Sequence, residues 1–533
     1  MNTDVYLERQ ASQIPAIELL QSMGYTYISP EDCEKQRGSR YHVLLKDILR
    51  GQLRRLNRYT YAGAENEFSA ANIERAMDEL DEPLIDGLVR TSEKIYDSLL
   101  LGKSYPETVG GGKSLSFNLK YIDWDNWENN LFHVTEEFAV ESQDKLHNAR
   151  PDIVLFINGI PFAVIECKAP QVSVDQAVEQ MIRNQGKDYI PQLFKYAQIV
   201  VATNKNAVKY ATCGTGKNFW SVWREEQTEW QDKLIEQHVA GREPTIQDRG
   251  IVSLLSPDRL LKLTKYFTLY DGNIKKICRY QQFFAVEEII KTINTNDAAG
   301  NRQSGVIWHT QGSGKTAFAY YNVKSLTDFY AKHDTVAKFF FIVDRIDLLE
   351  QSVAEFAARG LFPQKVQSRS ELMDKIKDNQ AHYNLQGKPE IIVVNIQKFK
   401  EDHEPVVIEG GYSTRLQRVF FIDEAHRGYN PTGSFLANLL EADKDAVKIA
   451  MTGTPLLSDE RASWRVFGNY IDTYYYDKSI ADGYTLKLMR EDIETEYRER
   501  ISNILEAIAG NIEVKKSDVK RDKIIEHPNY LNE

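Results

Sequence analysis

Three charged residues lie at the ends of two apolar segments in the N-terminal half of the chain. The stretch PDIVLFINGIPFAVIECKAP, residues 151–170, carries Asp152 near one end and Glu166 and Lys168 near the other. Side chains alternate along a strand, so Glu166 and Lys168 share one face while Cys167 points to the other. Two carboxylates that converge with a lysine can hold Mg²⁺ against a phosphate group. The stretch predicts a hydrolytic metal site with Asp152 and Glu166 as ligands, and a purely structural hairpin is the alternative.

The turn of this hairpin decides whether the two carboxylates can meet. A two-residue Asn158-Gly159 turn would place Asp152 on the face opposite Glu166, because each step along a strand changes the face. We therefore predict a three-residue loop with Gly159 in the left-handed conformation. This loop pairs Phe156 with residue 160 and puts both carboxylates on one face.

A second stretch, VIWHTQGSGKTAFAY, has the strand, glycine-containing turn and helix of a phosphate-binding loop. The glycines let successive N–H groups point at phosphate oxygens, and the helix N-terminus adds a favourable dipole. The lysine would reach the β- and γ-phosphates, and the threonine would hold Mg²⁺. The full pattern has glycine at position 309, where this chain has His309. The predicted nucleotide-binding residues are Gly312, Ser313, Gly314, Lys315 and Thr316.

An acidic pair follows about 110 residues later, at the end of the apolar segment RVFFIDEAHRG. Asp423 suits the Mg²⁺ shell, and Glu424 suits the general base that aligns water for attack on the γ-phosphate. Because the spacing lies within a continuous alternation of strand-like and helix-like windows, we expect a bound ATP with its Mg²⁺ between the two stretches.

The elements that must position these residues form two α/β regions. Up to about residue 220, helical windows surround the hairpin and the apolar run YAQIVVATN, which predicts a mixed sheet. From residue 280 onward, five short apolar runs alternate with helical windows, which predicts a parallel sheet covered by helices. We expect a first domain at 1–222, a connecting segment at 223–268, a parallel α/β lobe at 269–476 and a helical remainder at 477–533.

Composition restricts the class of protein. No apolar run approaches the roughly 20 residues that span a bilayer, and four scattered cysteines favour a reducing cytoplasm. A net charge of -11 argues against a free-standing nucleic-acid binder. One local basic stretch, KDILRGQLRRLNR, places Lys46, Arg50, Arg54 and Arg58 every four residues, either as phosphate contacts or as an ordinary solvated helix face.

The segments QGSGKT, DEAH and MTGTP resemble motifs I, II and III of superfamily 2 helicases and translocases. The resemblance implies that His426 and the loop of residues 452–454 couple hydrolysis to motion. It also implies that Gln281 in CRYQQF reads the adenine ring, with Gln282 as the near alternative. The stretch VDRIDLLEQ, residues 343–351, resembles the motif that touches the nucleic-acid backbone.

The segments PD and ECK, with Asp152, Glu166 and Lys168, resemble the PD-(D/E)xK nuclease motif. Related nucleases add a glutamine on the following helix, often with tyrosine four positions later. The resemblance favours Gln180, although Asn184 stands where that tyrosine would be. The stretches QGKDY and QLFKY, which begin at residues 185 and 192, match the spacing and stay open.

A nuclease followed by a superfamily 2 lobe is the domain order of the restriction (R) subunit of type I restriction-modification enzymes. In type III subunits the nuclease follows the motor. The type I resemblance implies methyltransferase and specificity subunits as partners, double-stranded DNA as substrate, and ATP-driven translocation with cleavage at a distance. An ATP-gated DNA sensor that does not cut is the alternative from another class.

About 80 residues follow MTGTP, too few for a second lobe of some 150 residues. We therefore expect this chain to be a fragment that lacks the second motor lobe.

Overall fold

The computed structural model describes residues 8–146, 148–225, 229–239, 241–296, 303–310, 312–378, 380–384, 387–396, 415–424, 443, 445–453, 467–485 and 503–504. The chain divides into two compact units, Met1–Ser479 and Ile480–Glu533. The two sheets that hold the candidate sites both lie in the first unit.

A mixed six-stranded sheet forms the N-terminal region, in the order β1-β6-β9-β10-β11-β12. The β1–β6 and β10–β11 pairs are parallel, and the other three pairs are antiparallel. Every residue of β9 and β10 is buried, because helices cover both faces of the sheet centre. The strands of this region are β1 (Thr26–Tyr27), β2 (Arg58–Tyr61), β3 (Ala64–Glu67), β4 (Lys103–Val109), β5 (Lys113–Leu119), β6 (Phe132–Glu136), β7 (Val140–Glu141), β8 (Asn148–Ala149), β9 (Ile153–Ile157), β10 (Ile160–Cys167), β11 (Ile199–Asn204) and β12 (Ala207–Ala211).

Helices surround this sheet and continue through the connecting segment. Several begin at a serine or threonine whose hydroxyl accepts a backbone N–H, the usual N-cap. They are α1 (Ile14–Ser22), α2 (Pro30–Arg37), α3 (Lys46–Leu56), α4 (Ala70–Leu80), α5 (Leu88–Leu101), α6 (Val174–Asn184), α7 (Pro191–Phe194), α8 (Glu229–His238), α9 (Ile246–Leu255) and α10 (Pro257–Phe267).

The second sheet has seven strands in the order β17-β18-β16-β19-β20-β15-β21, and all its neighbouring pairs are parallel. A separate hairpin, β13 and β14, precedes it. The strands are β13 (Thr268–Asp271), β14 (Ile274–Ile277), β15 (Gly305–His309), β16 (Val336–Val343), β17 (Phe362–Val366), β18 (Glu390–Asn395), β19 (Leu416–Asp423), β20 (Val447–Thr452) and β21 (Tyr470–Tyr474). The described helices here are α11 (Tyr280–Ile293), α12 (Lys315–Ala331), α13 (Ile346–Ala358), α14 (Arg369–Lys377) and α15 (Tyr476–Ala481). The predicted fold class, a mixed α/β region followed by a parallel α/β lobe of RecA type, is confirmed.

The segment predicted as a connection is a packed part of the structure. Helix α9 is buried along most of its length, and Gln247 Nε2 donates to the Ser12 carbonyl oxygen at 2.7 Å. Tyr25 Oη donates to the Leu255 carbonyl oxygen at 2.8 Å. The segment therefore packs against the N-terminal helix, and the predicted boundaries at 222 and 268 stay a prediction.

Two of the four basic residues in the stretch around helix α3 pair with neighbouring carboxylates. Arg50 contacts both Glu74 and Asp47. Arg58 lies outside the helix, at the start of β2, and pairs with Glu67 at 2.8 Å. Such ion pairs are typical of a solvated helix face rather than of a surface held ready for phosphates.

In the part of the chain that the structure describes, no helix is long and apolar enough to cross a membrane. All four cysteines are free and buried.

Candidate active sites

The turn between β9 and β10 has two residues, so the predicted three-residue loop is wrong. Ile157 pairs with Ile160. Asn158 and Gly159 both have positive φ, 53° and 82°, as a type I′ turn requires. A Cβ at Gly159 would lie 2.6 Å from the Leu45 carbonyl oxygen. Helix α3 therefore begins directly against this turn and leaves room only for glycine.

A β-bulge in β10 restores the alignment of the carboxylates. Pro161 pairs with Phe156, but Ala163 pairs with Leu155, so Phe162 is an extra residue in the strand. Proline has no N–H to donate to the ladder, and strand prolines are therefore found at bulges. Beyond the bulge the register is shifted by one residue, which puts the two carboxylates on the same face.

The three charged side chains of the hairpin meet at the buried ends of the two strands. Asp152 Oδ2 accepts a hydrogen bond from Cys167 N at 2.6 Å. Lys168 Nζ donates to Glu166 Oε1 at 3.3 Å and to the Cys167 carbonyl oxygen at 2.7 Å. The structure thus brings Asp152, Glu166 and Lys168 together, and their catalytic role stays a prediction.

Burial and like charge control the protonation of this cluster. Burial raises the pKa of Asp152 to about 6, although Lys168 and the Cys167 N–H oppose the shift. Burial and then Asp152 raise the pKa of Glu166 well above its ordinary value. Burial disfavours the Lys168 ammonium, but Glu166 and Asp152 outweigh burial and raise the pKa of Lys168. Burial and mutual repulsion thus favour the protonated forms of the two carboxyls, and a bound cation would oppose this.

One further carboxylate of the cluster was not predicted from the sequence. Glu8 Oε2 lies 3.5 Å from Lys168 Nζ. Burial raises the pKa of Glu8, partly offset by Lys168. No sequence spacing connects residue 8 with the hairpin; only the packing of the N-terminal helix against β10 could have revealed it.

The residues present fit a magnesium ion. Glu166 Oε2 is buried and has no hydrogen-bond partner among the described residues, as expected of an atom that lacks its ligand. The described residues contain no cluster of three or more His, Cys, Asp or Glu that could hold a metal, but Mg²⁺ is usually bound by one or two carboxylates and several waters. Asp152 and Glu166 would hold it, and it would polarise a bound phosphate.

Hydrogen bonds narrow the choice among the three glutamines that could complete the nuclease site. Gln185 Oε1 accepts from Gly214 N at 2.7 Å, and Gln192 Nε2 donates to the Glu141 carbonyl oxygen at 2.7 Å. Gln180, by contrast, is half-buried on helix α6 and lines a cavity beside the cluster. Gln180 stays the predicted residue.

The phosphate loop lies where the sequence places it, between the end of β15 and the start of helix α12. Gly312 and Gly314 have φ of 80° and 84°, a conformation that favours glycine. Ser313 N donates to the Thr310 carbonyl oxygen at 3.2 Å. Thr316 is in the first turn of the helix. The two glycines thus provide the backbone turn that the pattern predicts.

A second lysine–carboxylate cluster lies at this loop. Lys315 Nζ donates to Asp423 Oδ1 at 3.0 Å and also contacts Glu424 Oε1. Burial raises the pKa of Asp423, and Lys315 opposes that shift. Strand β19 and the loop strand β15 both flank β20, so the parallel sheet brings their ends to one edge. Asp423 and Thr316 would hold the Mg²⁺ of a bound nucleotide.

His309 and Asp472 are in hydrogen-bond contact at the loop. His309 Nε2 lies 2.6 Å from Asp472 Oδ2. This contact connects the start of the loop to β21, the strand at the sheet edge. His309 occupies the position where the full sequence pattern has glycine, and the sequence did not predict its partner, 163 residues away.

The two candidate adenine-reading glutamines differ in their contacts. Gln282 Nε2 donates to the carbonyl oxygens of Ser313 at 2.9 Å and Gly314 at 3.3 Å. Gln281 is buried, and neither of its amide atoms has a hydrogen-bond partner among the described residues. The structure therefore places Gln282 on the phosphate loop, and the role predicted for Gln281 stays a prediction.

Some predicted residues lie outside the described residues. They are His426, Thr454 and most of the helical remainder from residue 486 onward. Val343 ends β16, and helix α13 follows at Ile346. The nucleic-acid contact predicted for residues 343–351 stays a prediction.

Together, these features define a class of protein that joins a nuclease-like α/β domain to a nucleotide-binding lobe of RecA type. Comparison with known proteins agrees region by region. The family model described as type I restriction enzyme R protein N terminus matches residues 5–219. The SWI2/SNF2 ATPase model matches residues 281–521.

Relatives match across both regions. A protein of Methanocaldococcus jannaschii, named as the MjaIXP endonuclease subunit of a type I restriction enzyme, is 28% identical over 100% of this chain and 51% of its own length. The type I restriction enzyme HindI endonuclease subunit of Haemophilus influenzae is 26% identical over 89% of this chain and 45% of its own. The chain is thus similar to endonuclease subunits of type I restriction enzymes across both regions, and it spans about half the length of these relatives.

Proposed function

We propose that this chain contributes to an ATP-dependent type I restriction endonuclease that translocates duplex DNA and cleaves it at a distance. The observation that carries the proposal is the presence, in one chain, of two lysine–carboxylate clusters of different geometry. One is buried in a mixed sheet around Lys168, and the other faces a phosphate loop through Lys315. Together they supply a hydrolytic site for DNA and one for ATP.

The proposed roles follow from the chemistry of each group. Asp152 and Glu166 hold Mg²⁺ at the scissile phosphate, Lys168 positions or helps deprotonate the attacking water, and Gln180 orients the substrate. In the motor lobe, Asp423 binds the metal and Glu424 activates water. The residues that would hold ATP and its Mg²⁺ are Gly312, Ser313, Gly314, Lys315, Thr316 and one glutamine, Gln281 or Gln282.

The partners and compartment are part of the same proposal. The relatives are named as endonuclease subunits, so we infer methyltransferase and specificity subunits that select the DNA site. An acidic net charge of -11 supports anchoring by such partners. Four free, buried cysteines support a reducing compartment such as the cytoplasm.

The test is a pair of lysine substitutions in the chain assembled with the methyltransferase and specificity subunits of its own system. Lys168→Ala removes a group from the nuclease cluster and none from the phosphate loop, so DNA-stimulated ATP hydrolysis should continue while double-strand cleavage stops. Lys315→Ala should remove both activities, because cleavage waits on translocation. Phosphate release and linearisation of circular DNA give the two readouts.

Two lysines serve as matched controls. Lys332 lies just after the far end of helix α12 and pairs with Asp328, and Lys209 lies in β12 of the nuclease sheet and pairs with Asp175. Alanine at either position should leave both activities within about twofold, since exposed ion pairs contribute little. Normal cutting of circular DNA by Lys315→Ala would contradict the proposed coupling.

A further inference from the structure

A cavity of about 440 Å³ opens beside the nuclease cluster. Its lining includes Arg150, two positions before Asp152, and Glu137, whose backbone N donates to the Asp152 carbonyl oxygen at 3.0 Å. Gln180 and Arg183 of helix α6 form another part of the wall, with Tyr189. The cavity is therefore continuous with the strand that carries the first carboxylate of the cluster.

The two arginines of this cavity make only weak contacts with other side chains. The Arg183 guanidinium lies 6.0 Å from the centre of the Tyr189 ring and makes no ion pair with a described residue. Arg150 pairs with Glu137 only at 3.8 Å, with side chains 65% and 40% exposed. A contact this long and exposed is readily exchanged for another anion. Both guanidiniums can therefore accept a ligand without breaking a strong interaction.

The side chains that line the cavity suit a phosphodiester ligand. A guanidinium presents a planar fork of N–H donors that matches two phosphate oxygens. The Gln180 amide and the partly exposed Tyr189 ring add a neutral donor and a surface on which a sugar or base can stack. Glu137 also lines the cavity and would repel an anion, so its negative charge partly offsets the attraction of the two arginines.

We propose that this cavity guides the backbone of the DNA strand to be cut, with Arg150 and Arg183 contacting phosphates beside the scissile one. The inference rests on the proposed nuclease function, which it deepens by naming the groups that hold the substrate. The two arginines contact backbone and not base edges, so the binding they supply does not depend on sequence. They are positioning residues, because the water and the metal ligands are held by other side chains.

The test measures DNA binding separately from cleavage. The full chain is titrated with a short fluorescent duplex in Ca²⁺, a cation that occupies carboxylate sites with different geometry from Mg²⁺. Arg183→Gln keeps much of the side-chain length and removes the charge; it should weaken binding about tenfold and lower the slope of log affinity against log salt by about one. Arg150→Gln should act in the same direction. The loss should be equal on two unrelated sequences.

Arg75 is the matched control, because its guanidinium also lies over a tyrosine ring, that of Tyr105, at 5.6 Å. Arg75→Gln should change neither the affinity nor the salt slope, and circular dichroism should show all variants folded. If both cavity variants bind DNA as the wild type or as Arg75→Gln does, the guiding role is overturned.

The proposed nuclease function and the proposed guiding role of the cavity can be tested independently. If the cavity variants lose affinity but the wild-type complex does not cut DNA with Mg²⁺, the guiding role stands and the nuclease function is overturned. If Lys168→Ala abolishes cutting while the cavity variants bind and cut normally, the nuclease function stands and the guiding role is overturned.

Discussion

The chain assembles a lysine with two carboxylates twice, by opposite means. In the nuclease cluster, Asp152, Glu166 and Lys168 come from one hairpin and lie within 17 residues of sequence. In the motor lobe, Lys315 meets Asp423 and Glu424 across 108 and 109 residues. The first cluster depends on the register of a single strand pair, and the second on the order of strands in a parallel sheet.

Burial separates the two clusters further. The side chain of Glu166 is 0% exposed, whereas those of Asp423 and Glu424 are 13% and 15% exposed. A fully buried carboxylate keeps its charge only if a cation stays beside it. Lys168 is such a cation beside Glu166, and the proposed Mg²⁺ would be a second. In the more open Lys315 cluster, the lysine would exchange a carboxylate for the phosphates of the proposed nucleotide.

The largest effect should come from shifting the register that the bulge sets between the nuclease carboxylates. Deletion of Val164, which lies beyond the bulge, would pair Asp152 with Cys167 in place of Glu166 and so turn the two carboxylates to opposite faces. Metal-dependent cleavage should fall by about 10⁴-fold or more, because a metal ligand and the charge balance of the lysine are lost together. Plasmid cleavage by the assembled complex measures this.

The matched control is Val164→Ala, which keeps the register and should retain cleavage within about tenfold, at some cost in stability. Asp152→Asn provides a second variant that leaves the register intact and should abolish cleavage equally. A Val164 deletion that is folded by circular dichroism and still cuts at the normal rate would show that the strand register does not align the site.

The bulge also marks the limit of what the sequence could predict. Alternation along β10 placed Glu166 and Lys168 together, and glycine patterning located the phosphate loop, because both depend on neighbours in sequence. The predicted turn was wrong because the extra residue that aligns the two carboxylates can lie at any point of a hairpin. Here it lies within strand β10, directly after Pro161, and not in the turn. Glu8 and Asp472 were missed because tertiary packing alone brings them to their sites.

The second-largest effect is expected at the Lys315 cluster, where Glu424 is the proposed general base. Glu424→Gln should lower DNA-stimulated ATP turnover by about 10²–10⁴-fold, the usual contribution of a general base. Nucleotide affinity should stay unchanged or rise, because Lys315 loses a competing carboxylate. Phosphate release and the anisotropy of a fluorescent ATP analogue separate the two. Glu288→Gln, at a surface pair with Lys291, is the control, and loss of binding together with turnover would contradict the assignment.

A third lysine shows what happens without a carboxylate. Lys275 is buried and donates to Ser92 Oγ at 3.2 Å, to the Ala197 carbonyl oxygen at 3.0 Å and to Gln198 Oε1 at 2.9 Å. Burial lowers the pKa of Lys275 to about 8, with Cys213 opposing the shift. The aromatic neighbours are Tyr96 and Tyr270, whose pKa values burial raises well above 10, so they stay neutral.

The pH dependence of stability follows from this shift. Between pH 8 and about 10.4 the unfolded chain holds the Lys275 proton and the folded chain does not, so the free energy of unfolding rises with pH. Compared with Lys275→Met, the wild type should gain about 2 kcal/mol between pH 7.5 and 9.5. Urea unfolding at both pH values measures the difference, and Lys276→Met, an exposed neighbour, should show none. An equal difference at both pH values would mean that Lys275 stays charged when buried.

The smallest effect distinguishes the two glutamines beside the phosphate loop. Gln282 donates to the loop carbonyls and accepts from Arg279 N at 3.0 Å, so its amide is fixed against the phosphate loop. We take Gln282, rather than Gln281, as the glutamine that would contact the adenine ring. Gln282→Ala should weaken ATP binding about fivefold, the scale of one or two net hydrogen bonds, and reduce the preference for ATP over GTP. Gln281→Ala should change neither value, and it removes two buried amide atoms that have no partner among the described residues. Fluorescence titration with both nucleotides separates the variants. If only Gln281→Ala loses the preference for ATP, adenine reading belongs to Gln281. Gln282 would then only stabilise the loop.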